Sequence, residues 1–241
     1  MSDSLRAWVE VSFNVVYLVV VWSLVVLMWR RRAVVAPGNR RVAALFLGAF
    51  ALLALGDTGH VGFRALGFAV GNLEAVVDVL GLSLGLVGTG ALATAVTVTF
   101  FYALMVEIWR VRFGRRYDAF ALLLLAMVLV RFALMSLPAN EWNRIVPPQP
   151  WSTYRNLPLM VLGLGVAYLI LRDARAAGDR AFLGIGAMIV ASYAFYVPVI
   201  FWVQQMPLLG MLMIPKTLAY LGVAVIAYRA FYQPRRAMVP S

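Results

Sequence analysis

The sequence predicts an all-α membrane protein, a bundle of seven transmembrane helices with its amino terminus outside and its carboxyl terminus in the cytoplasm. Three observations carry this. Apolar residues make up 63% of the 241 and charged residues 13%, against the roughly 25% charged that a soluble domain turns to water. The apolar residues gather in seven runs, and a helix of about 20 such residues crosses a hydrocarbon core about 30 Å thick. The loops between the runs alternate between dense and sparse in arginine.

The first run, about 8–29, follows Asp3 and Arg6 with no basic leading region and no small-residue cleavage site. It therefore reads as a retained helix and not as a signal peptide. The second covers about 42–66. The third, about 83–108, is flanked and filled by Gly81, Gly85, Gly88 and Gly90, then Ala91, Ala93 and Ala95, small residues that let helices approach closely. The fourth covers about 118–137. The fifth, about 156–171, is short at its strictly apolar core, and Tyr154 to Pro158 could extend it outward. Asn156 is placed as its cap and Pro158 in its first turn. The sixth, about 181–204, contains Pro198, and the seventh, about 208–231, contains Pro215. Each proline removes a backbone donor and is expected to bend its helix. No strand-like alternation stands out, and backbone amides in hydrocarbon must bond within the protein, so helices are the expected solution. A single polytopic domain, 1–241, accounts for the chain.

Orientation follows from the arginines. Fifteen lie in the 30–41, 110–116 and 172–180 loops and the tail, and only Arg6, Arg64, Arg144 and Arg155 lie near the other face. Dense arginine marks the cytoplasmic side. The net charge of +11 then needs only anionic lipid headgroups as its counterpart, and no nucleic acid. Localisation is the cell membrane, multi-pass. The chain has no cysteine and one histidine, which removes disulfides, thiolate chemistry and multi-histidine metal sites. No phosphate loop, dinucleotide fingerprint, nucleophile elbow or HExxH is present, so no cofactor and no metal are expected.

Ionisable groups within a span are expensive and usually face a bundle interior or a watery cavity. Glu10, Asn14, Asp57, His60, Arg64, Arg131 and Lys216 all fall in the outer half when helices are laid out at 1.5 Å per residue. Asp57, His60 and Arg64 stand at i, i+3 and i+7, on one helix face. Arg131 lies too deep to reach the cytoplasmic surface, so it is expected to pair with Asp57, or else with Glu74 or Asp78. Tyr193, Tyr196 and Trp202 of the sixth run, with Lys216 and Tyr220 of the seventh, are expected to line a concavity opened by the two prolines. Glu107, three residues before Arg110, reads as an interfacial pair, and Asp118 as a helix cap. The segment Pro138–Arg155, with four prolines and three large aromatics, reads as a stiff belt at the headgroup level, or as a lid over the bundle mouth.

Seven helices, an external amino terminus and Lys216 in the last helix resemble the retinal proteins, a resemblance that implies a Schiff base at such a lysine. Tyr196, Pro198 and Trp202 likewise resemble that family's aromatic, proline-bearing sixth helix. Three departures count against it: Lys216 lies in the outer third of its helix, Leu212 stands where an aspartate is expected four residues earlier, and the third helix has no central acid. No family is assigned, and a retinal photoreceptor ranks last among the readings. The leading expectation is a small-molecule or lipid ligand in an outward-facing pocket formed by Asp57, His60, Arg64, Arg131, Tyr193, Tyr196, Trp202, Lys216 and Tyr220, in a transporter or receptor-like protein. The alternatives are a structural subunit that docks a protein partner, and a membrane enzyme acting on a lipid or isoprenoid with His60 and Asp57 as acid–base groups.

Overall fold

A computed structural model describes residues 3–79 and 82–233, with side chains from residue 12 onward apart from 77, 79, 82 and 84. The side chains of Arg6 and Glu10, and Gly81, Arg235 and Arg236 altogether, lie outside the described residues. The helices are α1 (Asp3–Arg30), α2 (Arg40–Ala69), α3 (Leu86–Arg112), α4 (Ala119–Met135), α5 (Leu157–Ala177), α6 (Arg180–Trp202) and α7 (Met213–Phe231). Six segments are long and apolar enough to cross a membrane, whereas α4, with 17 residues, is shorter. The architecture is that of a helical, multi-pass membrane protein. Its two ends differ in character: an arginine end, where α1 gives way to α2, and a hairpin end, where α2 gives way to α3.

A short hairpin joins α2 to α3 within this helical architecture. Strands β1 (Val76–Val79) and β2 (Leu82–Gly85) pair antiparallel, with Val76 opposite Gly85 and Asp78 opposite Ser83. The Ser83 hydroxyl donates to Asp78 at 2.6 Å. Four residues per strand are too few for an alternation to stand out in an apolar stretch, although the valines of β1 favour a pleated surface. The third helix accordingly begins at Leu86 and not near residue 83. Helix α2 runs on to Ala69 and is closed by Gly71, whose φ of +68° suits a residue without Cβ.

Three further boundaries differ from expectation. Helix α5 continues to Ala177, and Asp173 in that added length is 3% exposed and fully engaged. Its oxygens accept from Trp109 Nε1 at 2.8 Å, Arg115 at 3.1 Å and Arg172 at 3.0 Å. Asn156 does not cap α5 through its side chain; its amide instead donates to the Ser152 carbonyl at 2.7 Å. Pro215 does not interrupt a helix: residues Pro207–Leu212 form a 3-10 turn and α7 starts at Met213. It therefore occupies a first turn, where a missing N–H costs nothing. Pro198 does lie inside α6.

Small residues do bring helices together. A Cβ on Gly56 of α2 would collide with Thr97 of α3, and one on Gly90 would stand 2.9 Å from the His60 Cα. Thr94 Oγ1 donates to the Gly56 carbonyl across the same seam at 2.9 Å. Likewise Gly163 of α5 is covered by Tyr193 and Gly165 by Leu124. The core towards the arginine end is aromatic, with Phe46, Phe182 and Phe231 in mutual contact at 5.8–6.3 Å between ring centres. Ion pairs close that end. Glu107 accepts from Arg110 at 2.6 Å and from Arg41 at 2.9 Å, Arg112 meets Asp179 at 2.7 Å, and Asp118 and Asp179 cap α4 and α6.

Candidate functional site

A cavity of about 460 Å³ opens at the hairpin end. Its position follows from helix faces. The i, i+3, i+7 spacing on α2 carries Asp57, His60 and Arg64 to its wall, opposite Arg131 from α4 and Tyr196 from α6. Phe13, Asn14 and Tyr17 of α1 close one side, and Met211, Ile214 and Thr217 of the 3-10 turn and α7 another.

Polar groups in this wall fall into two kinds. Asp57 is satisfied: its Oδ2 accepts from the Tyr17 hydroxyl at 2.7 Å. Tyr196 is satisfied as well, donating to Asn156 Oδ1 at 3.1 Å. Arg131 is not. It is 2% exposed, and its Nε and Nη1 have no hydrogen-bond partner. The hydroxyls of the neighbouring Tyr193, Tyr196 and Tyr220 are bonded elsewhere. The expected pair with Asp57 is thus not formed, nor one with Glu74 or Asp78, among the described residues. Asp57 is held towards α1 by Tyr17, and Glu74 and Asp78 belong to the hairpin segment. His60 Nδ1 is also buried without a partner.

Four expected site residues lie off the lining. Lys216 stands behind it, with Nζ 4.2 Å from the centre of the Tyr196 ring and 5.6 Å from that of Tyr220, a cation–π seat. Asp57 and Arg131 are the charges whose fields reach it. Tyr193 is core, 2% exposed, and donates to the Leu159 carbonyl at 2.8 Å. Tyr220 shares a hydrogen bond with the Tyr102 hydroxyl at 2.7 Å. Trp202 is 52% exposed, its ring against Phe201, on the outside of the bundle. The hydroxyls of Tyr193 and Tyr220 find partners in the interior, which is where a tyrosine with a buried polar tip is stable.

Two cavity groups had been placed at the surface by sequence. Arg155 is 8% exposed, its guanidinium 4.1 Å over the Trp142 ring, with Nη1 donating to Asn140 Oδ1 at 3.3 Å. Trp142 donates in turn to the Met135 carbonyl at 2.9 Å. Both line the cavity. The segment that bears them rides directly on the start of α3: a Cβ on Gly88 would overlap the Trp142 carbonyl, and one on Gly85 would come within 2.5 Å of Asn143 O. It therefore lies over the mouth of the cavity. The only signal of this in sequence was the concentration of proline and aromatic residues. Among the described residues no group of three or more potential metal ligands occurs.

No known protein family, no curated protein and no solved structure matches the chain.

Proposed function

We propose that the chain is a seven-span protein of the cell membrane, its arginine end cytoplasmic and its cavity outward, and that this cavity binds a small molecule or a lipid in a transporter or receptor-like role. Arginine bias supports the orientation. The single observation that carries the binding role is Arg131, a buried charge aimed into a cavity with its donors unused. An arginine retained to lock helices would be paired, because an unpaired charge in the interior works against the fold. A volume of about 460 Å³ also lies within the roughly 300–1,000 Å³ of small-molecule sites.

Native mass spectrometry of the protein extracted in mild detergent tests the reading. The wild type is expected to carry a co-purifying molecule that Arg131→Ala loses while its elution and helicity stay unchanged. A bare wild-type protein, together with unaltered uptake and thermal stability in Asp57→Ala, Arg131→Ala and Lys216→Ala, would refute it. A second reading, an enzyme acting on a lipid or isoprenoid, draws on the unpartnered His60 Nδ1 beside Asp57. Turnover lost in His60→Gln with the fold intact would favour it.

A further inference from the structure

The charges around the cavity are unequal. Two guanidinium groups of the described lining, Arg131 and Arg155, are engaged by no carboxylate, and the carboxylate of that lining is Asp57. That carboxylate already accepts a hydrogen bond from Tyr17, and the ammonium of Lys216 adds to the positive side from behind Tyr196. Arg155 is seated on Trp142 and bonded to Asn140, so it is positioned without being neutralised. Arg131 offers its planar fork with no acceptor before it, and such a fork matches the two oxygens of a carboxylate or phosphate. Around these cations the wall is apolar and aromatic, from Phe13, Trp142, Met211 and Ile214.

We infer that the ligand class is a small amphiphilic oxyanion, a carboxylate or phosphate ester whose charged head meets Arg131 and whose apolar body rests on the wall of aromatic and aliphatic side chains. This rests on the cavity reading above and specifies what the cavity takes. An oxyanion would supply the acceptors that Arg131 lacks, with a charge opposite to its own, in a site of low dielectric. A cationic ligand would have to compete with Tyr17 for Asp57 and stand against Arg131 and Arg155.

The absence of cysteine from the sequence provides a clean test that separates this inference from the one it rests on. Thr217→Cys and Ala95→Cys place one thiol each in the cavity wall, and Val146→Cys, at a position 66% exposed on the covering segment, serves as the external reference. Each is treated with an anionic sulfonate and a cationic trimethylammonium thiosulfonate reagent of similar size. The ratio of anionic to cationic reaction rates is expected to be at least about tenfold higher in the cavity than at Val146, as focused fields in clefts produce. Adding Arg131→Gln should bring the ratio most of the way back to the reference, and benzoate, unlike benzamide or benzylamine, should protect the thiol. If both cavity thiols react but favour the cationic reagent, or if benzylamine protects them and benzoate does not, the oxyanion inference falls while the cavity stands. If neither cavity thiol reacts with either reagent while Val146→Cys does, the cavity reading itself falls.

Discussion

Replacing Arg131 by methionine should stabilise the ligand-free protein. Arg131 is 2% exposed with Nε and Nη1 unpartnered, and each buried donor without an acceptor costs about 1–3 kcal/mol. Methionine keeps an unbranched stem of similar length, fills irregular space and carries no charge. Exchanging buried ionic groups for apolar ones of similar volume is neutral to stabilising by about 1–4 kcal/mol, and a gain near the middle, about 2 kcal/mol, is expected here. For a chain of 241 residues this corresponds to a rise in Tm of about 4–8 °C. The measurement is thermal unfolding in detergent after exhaustive ligand removal, repeated with benzoate present. Arg131→Met should unfold higher than wild type without the anion and gain nothing from it, the pattern of a residue whose charge is kept for a ligand. A fall in Tm of similar size would show that Arg131 is bonded in the native state, and the argument from its unused donors would be refuted.

At the arginine end, Asp173→Ala strands Trp109 Nε1 and removes the shared acceptor of Arg115 and Arg172; thermal unfolding should register a loss of about 3–5 kcal/mol. Asp173→Asn, which can still accept from Trp109, should lose clearly less. Gly88→Ala places a methyl group against the Trp142 carbonyl, so the covering segment must lift. Trypsin should then cut after Arg144, which is 65% exposed in its side chain, several-fold faster than in wild type, with the thiol of Thr217→Cys more accessible in the same background. Orientation is checked on intact cells with a membrane-impermeant thiol reagent: Val146→Cys should label at once and Gly38→Cys, in open surroundings at the arginine end, only after lysis. The reverse pattern would invert the proposed topology.

Much of the fold is legible in one dimension because a bilayer constrains a chain so strongly. The helical character of the apolar runs, the close seam between α2 and α3, the cap at Asp118 and the pairing of Glu107 with Arg110 all depend on local spacing, and spacing is what a sequence displays. The hairpin at Val76–Gly85 was not legible, since four-residue strands give no periodicity to detect. The site was legible on its α2 face, where Asp57, His60 and Arg64 repeat at helical intervals. Its other half was not. Nothing adjacent to Arg155 or Trp142 distinguishes a belt residue from one folded over a cavity, and nothing adjacent to Tyr193, Tyr220 or Trp202 tells whether an aromatic faces the cavity, the core or the lipid.

What the sequence determined alone was the solvent of the chain, its helical character and the arginine asymmetry of its loops, because transfer of backbone and charge into hydrocarbon dominates every local choice. The pairing of charges was decided only by tertiary structure. Asp57 and Arg131 are a matched pair on paper, yet Tyr17 on α1 engages the first and the second is left facing the cavity without an acceptor. Which of several available partners a buried charge takes depends on the rotation and spacing of whole helices, and these are set by packing between helices, as at the seam where Gly56 and Gly90 join α2 to α3.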